Sequence, residues 1–309
     1  MSKRVLVTGI NGFVGHHLAR NLQAKGHAVI GIGSEPTVSD DLKTIVDTYL
    51  ACDLSDPEAV AALDLKGTDA LIHLAGLASV GQSFSEPAKF ISINAAITVN
   101  ILENLLVSSP EARCVIVSSG ALYDGNQQMP ISESGKVAYN SPYVVSKLAT
   151  ENLAEYYTGR GLNCVTVRPF NHIGPGQRPG FLLPDLAEKL RARIGNEPLL
   201  VGNLTTKRDY TDVRDVAEAY TTLATSDHAP EHTLYNVCSG VSHEGEEILG
   251  YLASAMNIEK PTTEVDPKLM RPNDVLDIRG DSSRLLDEFG WKPSYSLEQT
   301  IKDFVEALN

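Results

Sequence analysis

The chain has 309 residues, 42% hydrophobic and 21% charged, enough apolar material for a sizeable core in one large or two modest domains without metal or disulfide staples. A formal net charge of −13 and the lack of any Lys/Arg run argue against a nucleic-acid partner, since a phosphate backbone would be repelled. The four cysteines, Cys52, Cys114, Cys164 and Cys238, lack the spacing of a zinc site or a redox pair, so buried free thiols and no metal are expected. The stretch before Gly9 is too short for a signal peptide, and no later stretch approaches the roughly 20 apolar residues that span a bilayer. The chain reads as cytoplasmic, with no membrane partner.

Short β-branched runs at residues 5–8, 28–32, 70–74 and 114–117 alternate with helical patterns at 13–25 and 88–107. Further strand patterns at 164–167, 199–201 and 233–237 are separated by helical ones at 143–157, 183–193 and 213–223. Such alternation implies right-handed crossovers and an α/β fold, a Rossmann-type doubly wound parallel sheet. Gly/Pro-rich loops at 169–180 and 260–272 mark a smaller substrate domain that the chain enters more than once. The expected division is a dinucleotide-binding domain over 1–168, returning near 212–240, and a substrate domain over 169–211 and 241–309.

The first strand runs directly into Gly9, Asn11, Gly12, Phe13, Val14 and Gly15, which open a helix. Glycines there permit a tight turn and let a diphosphate approach the N–H groups of a helix N-terminus. An acid about 20 residues further on would take the adenosine ribose of NAD. Glu35 could be that acid, or it lies a residue or two late and Ser34 faces the 2′-phosphate of NADP; the cofactor is NAD or NADP. Asp53 and Leu54, after the third strand, could contact adenine, although Asp53 could equally cap the helix beginning near Pro57.

Tyr143 and Lys147 stand four residues apart at the start of a helix, on one face. A free phenol has a pKa of about 10, so proton exchange near neutrality needs a cation beside it. The strand at 114–117 ends in Ser118 and Ser119, whose hydroxyls should reach the same crevice as the glycine loop.

Together with His73-Leu74-Ala75-Gly76, Arg168-Pro169-Phe170-Asn171 and Arg208-Asp209-Tyr210-Thr211-Asp212-Val213, these motifs resemble, in order and over nearly the whole chain, the extended short-chain dehydrogenases/reductases that act on nucleotide-sugars. The resemblance implies that Ser119 hydrogen-bonds the reacting sugar oxygen, Tyr143 exchanges its proton, and Lys147 holds the nicotinamide ribose. It also implies cofactor contacts at Leu74, Ala75 and Gly76, and substrate contacts at Asn171, Arg208 and Arg271; the alternative for either arginine is an ion pair with Asp209 or Asp274. His172 receives no role, and Trp291 is read as a packing anchor.

The segment 171–177 is similar to the reductases of GDP-4-keto-6-deoxymannose and their dehydratase relatives. The dehydratases carry a glutamate two residues after the active-site Ser/Thr; here Ala121 stands there, which disfavours dehydration unless Asp124 swings back. Reduction of a GDP-4-keto-6-deoxyhexose is the leading expectation, with NAD-dependent 4-epimerisation the alternative. A non-catalytic redox sensor would need none of the three proton-transfer groups. Ile97, Ile101 and Leu105 fit the helical homodimer interface common in this family, or else the monomer core.

Overall fold

The computed structural model describes residues 1–193, 195, 197–269 and 275–308. Its strands are β1 (Arg4–Thr8), β2 (Ala28–Gly33), β3 (Thr48–Ala51), β4 (Ala70–His73), β5 (Arg113–Val117), β6 (Asn163–Pro169), β7 (Asn171–Ile173), β8 (Leu199–Val201), β9 (Lys207–Asp212), β10 (Leu234–Val237), β11 (Ser242–Glu244), β12 (Thr263–Val265) and β13 (Asp277–Ile278). Its helices are α1 (Phe13–Ala24), α2 (Pro57–Ala61), α3 (Val80–Ser85), α4 (Pro87–Ser108), α5 (Pro142–Gly159), α6 (Leu182–Ala192), α7 (Val213–Thr225), α8 (Gly245–Ala255), α9 (Ser283–Phe289) and α10 (Leu297–Ala307).

Seven strands form one sheet in the order β10-β6-β5-β4-β1-β2-β3, every neighbouring pair parallel. Both faces are covered, which is why its strands are almost continuously apolar. Leu18 and Leu22 of α1 and Val216 and Tyr220 of α7 pack on one face. Ile101 and Leu105 of α4 and Ala154 and Tyr157 of α5 pack on the other. The strand order reverses between β1 and β4, and in such sheets ligands bind at that point beyond the carboxyl ends of the strands.

A second core gathers α6, α8 and α10 with β8, around Leu183, Leu190, Ile248, Leu252 and Phe304. Three short strands, β7, β11 and β13, surround β9 in a small sheet beside it. The C-terminal segment also returns to the large sheet. Leu285 and Trp291 join its core, the Trp291 indole donates to the Asp215 carbonyl at 3.0 Å, and the Asp215 carboxylate accepts from Ser294 and Tyr295. Trp291 is a packing anchor, as read.

All four cysteines are buried and free. One open alternative is decided and one expectation, that no stretch is long and apolar enough to span a bilayer, is corrected. Ile97, Ile101 and Leu105 are 5%, 0% and 0% exposed and face the sheet, so they belong to the monomer core. Helix α4 does have the length and composition of a membrane span, 22 residues with mean hydropathy 1.6 over its apolar window. It lies against the sheet instead, and its Asn100 and Asn104 amides bond the carbonyls of Leu54 and Val60 on the neighbouring segment.

Candidate active site

The glycine loop takes its shape from two contacts. Gly9 has φ +70°, and a Cβ there would lie 3.1 Å from the Ala75 nitrogen, so the loop after β1 closes against the loop after β4. A Cβ at Gly15 would lie 2.3 Å from the Ile10 carbonyl oxygen, which lets α1 start hard against the turn. Gly12 caps α1 without any side-chain bond, leaving the N–H groups of its first turn for another partner. That cradle fits the diphosphate of a nicotinamide dinucleotide, where helix N-termini and close backbone approach favour an anion. Asn11 turns away from it, bonding Glu35, the Thr37 carbonyl and Ser39 and so pinning the loop that follows β2. Phe13 stacks on His172 at 6.1 Å, and His17 bonds the Pro175 carbonyl, so the segment after β7 leans on α1.

Ser119 follows β5 in extended conformation and caps a short 3-10 turn through the Ala121 N–H at 3.1 Å. Ser141 caps α5 at the Val144 N–H and Pro142 opens its first turn, which sets Tyr143 and Lys147 at the helix start. The structure brings Ser119 and Tyr143 together, with Lys147 one turn further along α5. Burial raises the Tyr143 phenol above its ordinary pKa, while a side-chain hydrogen bond with Ser119 draws it down. Lys147 donates to the Val117 carbonyl at 2.8 Å, and burial lowers its ammonium to about 8 despite the opposing pull of Glu151. Gly76 adjoins the same place: a Cβ there would lie 3.8 Å from Lys147 Nζ.

Beneath these groups runs a buried polar ladder that the sequence reading, which quoted His73 only as part of a motif, gave no role. His73 bonds Thr8 at 2.8 Å and Thr98 at 3.2 Å, Thr98 donates to the Asn94 carbonyl, and Asn94 donates to Ser146 and grips both backbone groups of Leu77. Complete burial and the neighbouring Lys147 charge take His73 down to about 3, so it is neutral, with its proton on Nε2 toward Thr98. In the sequence His73 appears only as the first residue of the His73-Leu74-Ala75-Gly76 motif, with nothing to show what its ring bonds.

Other expected residues are placed less directly. Ser34 is exposed just past β2. The Asp53 carboxylate accepts from the N–H and hydroxyl of Ser55, and Asp56 is the residue that caps α2. Leu54 is 6% exposed in the core beneath the sheet. Asn171 pairs in register with Tyr210, two residues beyond Arg208, so both polar candidates stand on adjoining strands of the small sheet. Arg208 donates to the Val275 carbonyl at 2.8 Å, while the Asp209 carboxylate is taken up by Ser239, Gly240 and Gly280. Arg271 and Asp274 lie outside the described residues. Asp124 accepts from the backbone and side chain of Asn126 and does not swing back.

The profile of the NAD dependent epimerase/dehydratase family matches residues 5–238. The chain belongs to that family. It is 34% identical to GDP-6-deoxy-D-mannose reductase of Pseudomonas aeruginosa, over 98% of this chain and 96% of that one. UDP-glucose 4-epimerase of Mycolicibacterium smegmatis is 27% identical over 98% and 97%. Among solved structures, RMD from Pseudomonas aeruginosa complexed with NADPH superposes with a TM-score of 0.83 at 31% identity, covering 99% and 98% of the two chains. UDP-glucose-4-epimerase from Stenotrophomonas maltophila, solved with bound NAD and formylated UDP-arabinopyranose, gives 0.87 at 25% identity, covering 99% and 97%. Members of this family use NAD or NADP, and the cradle described above suits either.

Proposed function

We propose that the chain is a nucleotide-sugar oxidoreductase that reduces the 4-keto group of a GDP-4-keto-6-deoxyhexose. The observation that carries this reading is the Tyr143–Ser119 bond with Lys147 one turn further along α5, and no carboxylate two residues after Ser119: Ala121 offers a methyl group there, and Asp124 is spent on its own turn. Such a site can move one proton at the sugar oxygen, but it lacks the additional acid/base that elimination of a hydroxyl demands. The 34% identity to a GDP-6-deoxy-D-mannose reductase, against 27% for the UDP-glucose 4-epimerase, supports reduction over epimerisation.

A reduced dinucleotide held in the cradle would supply the hydride. Ser119 and Tyr143 bind the keto oxygen, and the phenol gives it a proton as it becomes a hydroxyl. Lys147, fixed by the Val117 carbonyl, would hold the nicotinamide ribose and its charge would favour the resulting phenolate. Gly9, Gly12, Phe13, Val14 and Gly15 seat the diphosphate, with Leu74, Ala75 and Gly76 along the other wall. Asn171, Arg208 and Arg271 hold the sugar-nucleotide; a guanidinium fork suits two oxygens of a diphosphate at once.

Mixing the chain with NADH or NADPH and GDP-4-keto-6-deoxymannose, and following the absorbance of the reduced nicotinamide, tests the reading. Stoichiometric oxidation is the expected result. No net oxidation, together with interconversion of UDP- or GDP-hexoses on a retained cofactor, would replace it with 4-epimerisation.

We also propose a homodimer, through the outward faces of α4 and α5. Ile91, Val145 and Tyr156 are 37%, 38% and 57% exposed there, whereas Ile97, Ile101 and Leu105 belong to the monomer core. Light scattering on the eluting protein should give twice the 33.3 kDa chain mass.

A further inference from the structure

The end of β2 decides which dinucleotide fits. Strand β2 finishes at Gly33, beside the glycine loop, where an acidic side chain would meet the adenosine ribose. Gly33 has no side chain, yet the place is not empty. A Cβ at Gly33 would lie 2.9 Å from Glu35 Oε2 and 2.7 Å from the Tyr49 hydroxyl, so the Glu35 carboxylate folds back over the strand end. Two bonds keep it there: the Asn11 amide donates to Glu35 Oε2 at 3.2 Å, and the Tyr49 hydroxyl donates to the Glu35 carbonyl at 2.6 Å.

We infer that Glu35 supplies the acid which Gly33 lacks, accepting the adenosine ribose hydroxyls and making NAD(H) the preferred cofactor of this chain. The nearby cations do not offset it. Arg20 and His16 engage Asp41, and Lys43 engages Asp40, so the loop after β2 carries Glu35, Asp40 and Asp41 against basic groups already paired. A 2′-phosphate would meet the Glu35 carboxylate directly, and like charges brought face to face are strongly unfavourable. NADPH, the cofactor in the solved Pseudomonas relative, is thus the disfavoured one here. This goes beyond the proposed reaction and does not depend on which sugar is turned over.

The test is a binding titration without sugar, reading the fluorescence of NADH and NADPH on the full chain. NADH should bind at least about tenfold more tightly than NADPH, a factor kept modest because Glu35 is exposed. Glu35→Gln keeps an acceptor for Asn11 and removes only the charge; it should weaken NADH, strengthen NADPH and bring the two dissociation constants within about twofold. Glu35→Ser should do the same by shortening the side chain, and circular dichroism of both variants should match the parent. NADPH binding as tightly as NADH to the parent chain would overturn the inference, as would a preference unchanged in both folded variants.

Discussion

Replacing Tyr143 with Phe should cut the reduction rate by roughly a hundred- to ten-thousandfold while leaving the affinity for the dinucleotide within about twofold. The ring stays and still packs with Phe90, Leu122 and Val144; only the proton donor and its bond with Ser119 are lost. Single-turnover measurement of nicotinamide oxidation separates the two effects, and a variant that kept most of its rate would remove the phenol from the chemistry. The pH profile carries the same logic with a definite sign. Reduction needs the protonated phenol and a charged Lys147, so its rate should hold at neutral pH and fall as pH climbs past about 8, where the buried ammonium gives up its proton. The reverse, oxidative direction should gain over the range in which the phenol loses its proton.

The second large effect concerns folding. Arg168 and Glu151 form a two-pronged ion pair at 2.8 and 2.7 Å with side chains 7% and 13% exposed, and the guanidinium lies 4.8 Å from the Tyr123 ring centre. Burial works against the Arg168 charge, but the Glu151 carboxylate more than offsets it and raises its pKa. Arg168→Leu leaves that carboxylate buried without its partner, which costs about 3–5 kcal/mol in comparable pairs. Urea unfolding should show a loss of that order, and the double change Arg168→Leu, Glu151→Leu should recover much of it, because two apolar groups need no counter-ion. A loss below about 1 kcal/mol in the single variant would mean the pair contributes as little as an exposed one.

The residues legible in the sequence were those whose chemistry is fixed by short spacing. The glycine loop, the serine ending β5 and the Tyr143–Lys147 pair each need only one strand-to-helix turn or one helical turn to be placed. The large sheet was legible for a related reason: a parallel strand buried on both faces is an apolar run between helical patterns. What escaped depends on contacts between distant segments. Glu35 lies two residues past the strand end, and only the bonds from Asn11 and Tyr49 reveal that it folds back. Asp53 read as a possible cap of α2, and backbone geometry gives that place to Asp56, three residues further on. Helix α4 is apolar around much of its circumference, so its pattern could not say whether Ile97 faced the sheet or a partner. The small sheet joins strands of two, three and six residues whose pairing around β9 has no periodic signature.

The position of β10 bears on how the chain emerges during synthesis. When residues 1–169 have been made, six strands of the large sheet exist, but one side of β6 still presents unpaired backbone donors and acceptors. Its partner lies 68 positions later: Leu234 pairs with Thr166, and Asn236 with Arg168. The face that α7 and α9 cover stays partly bare over the same interval. A nascent half-chain is thus a ribbon with a sticky border, the kind of species that pairs with its neighbours on other ribosomes. Aggregation of this protein, where it occurs, should begin from that border, and fragments ending near residue 169 should be far less soluble than the whole.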